Sequence, residues 1–346
     1  YEAYNNGKYT IAEKQQMFPH LFNSLSVVIP VLSSTFASVG RFLKHAGNMS
    51  LGMLIIDESG QAAPQSALGA IYRTRRAVVV GDPLQVEPVV TIPKVLIDIL
   101  ADSTCVANEY KVIENSAQTF ADNINEFNGM IGKRQVGCPL VVHRRCIEPM
   151  FSISNLISYD NRMFNKTNKK EEYLKPENPF LIKKSGWINV EGAENGGKDH
   201  FVKKQAERVC QLMEDAVHIY SDLFETDDKI FIITPFRTVA ESMRKFIISY
   251  FSAKGYDKEI LLKWTKNCVG TVHTFQGKDA NEVLLVLGCS NKSAGAMNWV
   301  VKKANILNVA CTRAKYRIAF IGNINDWENR SCFREFIPNL IDIINV

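Results

Sequence analysis

The 346-residue sequence predicts an α/β fold built on parallel strands, and three observations point there. Five short apolar runs, rich in Val, Ile and Leu, have the length and uniform character of strands buried on both faces. Each run stops at a polar or glycine-containing turn, as strands do where an α/β sheet receives ligands at its carboxyl edge. Amphipathic helical stretches alternate with the runs, an order that layers helices against a sheet.

The runs are Met53–Ile56, Ala77–Val80, Ile230–Ile233, Val283–Leu287 and Ile318–Ile321. They end at Asp57-Glu58, Gly81-Asp82, Thr234-Pro235, Gly288 and Gly322-Asn323. Residues 203–220 place Ala206, Val209, Cys210, Met213, Ala216, Val217 and Tyr220 on one helical stripe, and residues 238–251 repeat the pattern with Val239, Met243, Phe246, Ile247 and Tyr250. Asn165–Asn178 reads as a solvated surface loop and Gly192–Lys198 as a turn-rich break. The length, with 46% hydrophobic residues, suits two cores rather than one. The seam is expected near Lys133–Pro139, giving domains of residues 1–135 and 136–346.

Composition narrows the class of protein. A net charge of +5, from 41 basic and 36 acidic residues, permits a polyanionic partner without requiring one. The 8 cysteines include no C-x-x-C pair and no Cys/His spacing suited to zinc. Scattered single cysteines fit a reducing compartment, so a soluble, intracellular (cytoplasmic) protein is expected. No apolar run approaches the ~20 residues that cross a bilayer, and no signal peptide is visible. The opening on Tyr1 reads as a fragment.

Five segments carry chemistry. Leu54–Gln61 is an apolar strand ending in paired carboxylates, Asp57 and Glu58. Nucleotide hydrolysis uses one carboxylate to hold Mg²⁺ and another to orient and deprotonate water, although a polar strand terminus is the plain alternative. Val80–Pro88 is a glycine- and proline-shaped turn presenting the neutral amide of Gln85, suited to sensing a phosphate or its attacking water. His143-Arg144-Arg145 offers paired guanidinium groups that could clamp phosphate oxygens. Gly270–Asp279 offers hydroxyls and an imidazole before a glycine turn, as a sugar-phosphate backbone would need. Leu307–Lys315 reads as a helix carrying Arg313, followed by the strand Ile318–Ile321. An arginine so placed could stabilise a phosphoryl-transfer transition state, or sit in an ordinary ion pair.

Together, the order and spacing of these segments resemble a superfamily 1 helicase. Asp57-Glu58-x-x-Gln61 resembles motif II and Gly81-Asp82-Pro83-x-Gln85-x-x-Pro88 resembles motif III. His143–Cys146 with Pro149 resembles the Q-Y-R-M-H-P element of the 1B branch, which includes the nonsense-mediated-decay RNA helicase and DNA2-like DNA helicases. Val272–Asp279 looks like motif V, Leu307–Lys315 like motif VI, and Thr234-Pro235-Phe236 like the motif before them. A weaker echo lies at Ser33–Ser38. The resemblance implies two RecA-like parallel-sheet domains of the P-loop NTPase type, with ATP and Mg²⁺ between them and single-stranded DNA or RNA across their tops. Carried over by position, it makes Asp57 the Mg²⁺ ligand, Glu58 the general base and Gln85 the coupler of γ-phosphate to closure. Arg145 and Arg313 become phosphate-contacting arginines, and Arg144, Gly277 and Asp279 help hold the nucleotide. Thr35, Thr271 and Thr274 become candidates for nucleic-acid backbone contacts. The branch implies 5′ to 3′ travel.

Two features depart from that family. His143-Arg144 stands where the family has Gln-Tyr, and its tyrosine packs on adenine. No G-x-x-x-x-G-K-[ST] sequence occurs, so the backbone cradle and lysine that hold nucleotide phosphates are missing. Truncation before that loop is the simplest reading, leaving an incomplete first domain in which Ala12–Phe22 is the last helix of an inserted region. The expected function is the core of an ATP-dependent helicase or translocase, inactive as this fragment. The alternative is a non-hydrolysing nucleic-acid-binding scaffold. A Rossmann-type dehydrogenase is disfavoured, because its glycine fingerprint is absent.

Overall fold

A computed structural model describes residues 7–344, apart from 108–109, 112, 114, 132–133, 168–179, 195, 197–198, 276 and 303. Most of the expected loop Asn165–Asn178, part of Gly192–Lys198, and Lys133 and Gln276 therefore lie outside the described residues. The chain divides into two compact units, residues 1–130 with 135–138, and residues 131–134 with 139–346.

In the first unit, α1 (Ile11–Val28) starts at a capping box in which Thr10 and Glu13 satisfy each other's backbone N–H groups. Its Phe18 packs with Leu43 and Ala46 beyond α2 (Phe36–Phe42). Strand β1 (Leu51–Ile56), helix α3 (Pro64–Tyr72) and strand β2 (Thr74–Val79) then form a β–α–β unit whose two strands pair in parallel, Ile55 opposite Val78. Side chains alternate along β1. Ile56 is buried with Ala67 of α3 and with Ala117, while Met53 and Ile55 on the opposite face stay 57% and 67% exposed. One face of this sheet is thus covered and the other, apolar, is bare. Helices α4 (Lys94–Ser103) and α5 (Ala117–Ile124) follow, and the short strands β3 (Gly129–Ile131) and β4 (Arg134–Val136) each contain residues of both units.

The second unit is centred on six strands in the order β12-β7-β11-β10-β8-β9, and every recorded pairing among them is parallel. These are β7 (Gly186–Asn189), β8 (Ile230–Thr234), β9 (Val269–Thr271), β10 (Ala280–Val286), β11 (Ala314–Gly322) and β12 (Asp342–Ile343). Before them come β5 (Val142–His143) and β6 (Phe164–Asn165), paired with each other, and α6 (Met150–Ser158). The remaining helices are α7 (Lys203–Ile219), α8 (Arg237–Ser252), α9 (Lys258–Cys268), α10 (Ala294–Lys302), α11 (Asn305–Arg313), α12 (Ile324–Trp327) and α13 (Phe333–Leu340). Every residue of β8 is buried, as a strand covered on both faces requires. Trp187 stacks on Phe320, with Phe333 against both.

All five apolar runs lie in strands, with Val80 and Leu287 one residue past the ends of β2 and β10. The largest difference in boundary is at motif VI: α11 ends at Arg313 and β11 begins at Ala314, not Ile318. Leu307–Arg313 is buried throughout, so the chain passes from buried helix to buried strand with no polar turn to mark the change.

Candidate functional site

The first unit assembles a carboxylate-bearing corner at the carboxyl ends of β1 and β2. Asp57 and Glu58 follow β1, and both are exposed. Glu58 sits in the left-handed region at φ 52°, which turns the chain sharply out of the strand. Its N–H donates to Asp57 Oδ1 at 2.9 Å, and its Oε2 accepts from Gln61 Nε2 at 3.1 Å. Ser59, fully buried, donates its backbone N–H to the Val80 carbonyl at 3.0 Å and shares its one hydroxyl proton between that carbonyl, at 2.8 Å, and Gln118 Oε1. The two strand-end turns touch backbone to backbone: a Cβ on Gly81 would stand 2.6 Å from Gly60 N, and one on Gly60 2.6 Å from the Asp82 carbonyl oxygen. Glycine is therefore required at both positions for packing. Gln85 folds its amide back onto Asp82 Oδ2 at 2.9 Å.

A buried relay supports this corner. Gln118 Oε1 accepts a bond from Ser59 Oγ at 2.6 Å, and its Nε2 donates to Asp122 Oδ1, which also accepts the Gly137 N–H at 3.1 Å. Motif reading passed over these residues. The one sequence signal is the i,i+4 spacing of Gln118 and Asp122 on a helix capped by Ser116.

The second unit gathers the other three segments. His143 Nε2 accepts the Cys146 N–H at 2.9 Å, so the imidazole serves as a neutral acceptor closing the His143–Cys146 turn. Burial, reinforced by the Arg145 charge, pushes its pKa down to about 4. Burial pushes the Cys146 thiol up to about 12. Arg144 and Arg145 are exposed and, among the described residues, make no hydrogen bond or ion pair. The Ile147 N–H donates to the Lys315 carbonyl at 3.2 Å, tying this turn to the end of the motif VI segment. Arg313 is fully buried. Its Nε donates to the Val309 carbonyl at 3.1 Å, and its Nη1 to the carbonyls of Phe275 and Lys278 at 3.4 and 3.1 Å. Lys315 Nζ lies 2.8 Å from Asp279 Oδ1, and Gly277 supplies the turn at φ 76°. Thr271 Oγ1 and Thr274 Oγ1 are 3.3 Å apart. Thr35, in the first unit, is exposed ahead of α2 and makes no side-chain capping bond.

Two metal questions follow. Asp57 has an exposed carboxylate with one oxygen taken by the Glu58 N–H and, among the described residues, no bond to the other. Such a donor suits Mg²⁺, which keeps several waters and needs only one or two carboxylates beside nucleotide phosphates. A second group, Glu194 and His200 six residues apart with the distant Cys289, brings its ligand atoms within 4.8 Å of one another. Glu194 is already engaged: it accepts from Ser290 N–H at 2.8 Å, from Ser293 Oγ at 2.9 Å and from His200 Nδ1 at 3.3 Å. Burial also pushes the Cys289 thiol up to about 12. The group acts as a polar clasp on the chain leaving β10.

The parallel sheets and the motif-bearing turns define a helicase-like α/β region, and comparison with known proteins agrees. A family model of the AAA domain (AAA_12) matches residues 126–325, and a second AAA-domain model (AAA_11) matches residues 3–92. The chain belongs to this AAA-domain family and is a superfamily 1B helicase-like region. It is 23% identical to the probable helicase senataxin of Mus musculus over 329 residues, covering 92% of this chain and 11% of that protein. It is also 23% identical to the DNA replication ATP-dependent helicase/nuclease DNA2 of Xenopus laevis (83% of this chain, 26% of that protein) and to the ATP-dependent helicase upf1 of Schizosaccharomyces pombe (82% and 28%). Among solved structures, arterivirus nonstructural protein 10 (helicase) aligns with 87% of this chain and 56% of its own at 12% identity and a TM-score of 0.34. The chain spans only a minor part of the curated relatives named here. No helix among the described residues is long and apolar enough to cross a membrane.

Proposed function

We propose that this region belongs to an ATP-driven motor that moves on single-stranded DNA or RNA. One observation supports this reading above the others: Asp57 and Glu58 stand exposed on a corner that Ser59, Gly60 and Gly81 lock rigidly to the neighbouring strand. Catalytic carboxylates need such fixed placement, because water activation depends on orientation. In this reading residues 1–135 and 136–346 are the two RecA-like domains. Asp57 holds Mg²⁺, Glu58 is the general base, and Gln85, which rests on Asp82 here, exchanges that bond for the nucleotide. Arg145, with Arg144 beside it, is the arginine with an exposed guanidinium to offer a phosphate. Arg313 acts from within, fixing the Phe275–Lys278 turn through main-chain carbonyls, and Gly277 and Asp279 on and beside that turn border the nucleotide. Thr35, Thr271 and Thr274 contact the nucleic-acid backbone.

This chain carries no G-x-x-x-x-G-K-[ST] sequence, so alone it is expected to hydrolyse little or no ATP. Turnover by the purified chain that Glu58→Gln abolishes would overturn that expectation. The motor itself is tested in a longer protein that contains this region, by ATPase assays with and without single-stranded DNA and RNA. Strand-stimulated turnover lost in Glu58→Gln supports the motor. Strand binding without turnover would favour a non-hydrolysing scaffold instead.

A further inference from the structure

Four tryptophans occur in the chain, and three of them, Trp187, Trp264 and Trp327, are essentially fully buried. Trp299 is 53% exposed. It lies on α10, which follows the carboxyl end of β10, and its ring centroid is 5.9 Å from that of Phe236, just past the carboxyl end of β8. Phe236 in turn lies 4.9 Å from the His200 ring. The three rings make a short ladder whose outer rung is open to solvent. Beside that rung is an open pocket of about 400 Å³ lined by Gly295, Asn298, Trp299, Val301, Lys302 and Ser331.

The segment that carries Trp299 is itself basic. Residues 291–302 contain Lys292 and Lys302, both exposed, and no acidic residue. Arg330 donates to Asn298, one residue from Trp299. The nearby acid Glu194 is held by Ser290, Ser293 and His200. An exposed aromatic face among cations is what a base-stacking, sequence-tolerant single-strand site requires. Its position fits as well. Thr271 pairs with Thr234 at the carboxyl ends of β9 and β8, so the threonine hydroxyls and the aromatic ladder occupy the same sheet edge.

We infer that Trp299 is a stacking platform for a base of single-stranded nucleic acid, backed by Phe236 and flanked by Lys292 and Lys302. This rests on the nucleic-acid reading above and adds the residue that receives a base. Because the other tryptophans are buried, the intrinsic fluorescence accessible to an added quencher reports on Trp299. The test titrates the chain at low salt with fluorescein-labelled oligodeoxythymidylate and oligouridylate, reading anisotropy. Unlabelled oligonucleotides of the same sequences are titrated in parallel, reading tryptophan emission. Bound oligonucleotide should quench the emission and shield it from acrylamide. Trp299→Ala should remove that response and weaken binding about tenfold, with the salt slope unchanged because the phosphate contacts persist. Trp299→Phe should restore much of the affinity. An unshifted urea midpoint in Trp299→Ala would show that the fold is intact. Binding by anisotropy with unaltered Trp299 emission and equal affinity in Trp299→Ala would overturn the stacking site and leave the nucleic-acid reading standing. No binding of either oligonucleotide would overturn both.

Discussion

At the scale of single residues, His143 shows how a motif position can do a different job from the one its place suggests. Its imidazole is spent as an acceptor for the Cys146 N–H, a bond that only the neutral ring can make. The folded pKa of about 4 lies below the ordinary value near 6.5, first because the ring is buried and second because Arg145 is adjacent. A depressed pKa contributes stability that is present above the unfolded value and lost as pH falls toward the folded one. Between about pH 6.5 and 4 the unfolded chain takes up a proton that the folded turn resists, which costs about 1–3 kcal/mol. The urea midpoint should therefore fall more steeply with pH across this window in the wild-type chain than in His143→Gln. Parallel slopes for the two proteins would show that His143 does not titrate in this way. Glu58 is the contrasting case, since its exposed carboxylate was legible directly from the sequence as a strand-end acid.

At the scale of elements, the central strands and the motif turns were readable because they are locally encoded. Val283–Leu287 is an unbroken apolar run, and Gly81-Asp82-Pro83 is a turn by composition alone. What escaped was short or non-local. Strands β7 and β9 have four and three residues, too few to show a period, and are defined by the neighbours they pair with. The Ser59–Gln118–Asp122 relay joins positions up to 59 residues apart, which no window on the sequence spans. Arg313 belongs to this second kind. Its place in motif VI was legible, but its burial and its bonds to the Phe275 and Lys278 carbonyls were not. The structure makes it a strap between α11 and the turn before β10. Arg313→Ala should cost about 2–4 kcal/mol by leaving buried carbonyls without a charged donor. Arg313→Lys should recover little, because an ammonium cannot reproduce a planar fork bonded at three nitrogens. Urea unfolding of the second unit, followed through buried Trp264 and Trp327, would measure both, and an Arg313→Lys variant as stable as wild type would refute the strap.

At the scale of the whole molecule, the two units differ in how much apolar surface they bury. Every residue of β8 is inaccessible, as are most of β10 and β11, and the tryptophans Trp187, Trp264 and Trp327 anchor the surrounding helices. Among the described residues, the first unit buries small clusters such as Phe18 with Leu43 and Ala46, and Ile56 with Ala67 and Ala117. Its two-stranded sheet leaves Met53, Ile55 and Val78 exposed on one face. Since burial of apolar area is the dominant favourable term in folding, the first unit should open at a lower free-energy cost than the second. Proteolysis under native conditions cuts regions in proportion to how often they open. Brief digestion should therefore remove residues before about 139 first and leave a resistant fragment of roughly residues 139–346, recognisable by mass and by retained Trp187 and Trp264. Hydrogen exchange should follow the same order, with β1 and β2 amides exchanging well ahead of those in β8 and β10. Equal protection of β1 and β8 would mean that the bare face of the first unit is covered in solution by something that also stabilises it, and a concentration series of the same exchange experiment would show whether that cover is a second copy of the chain.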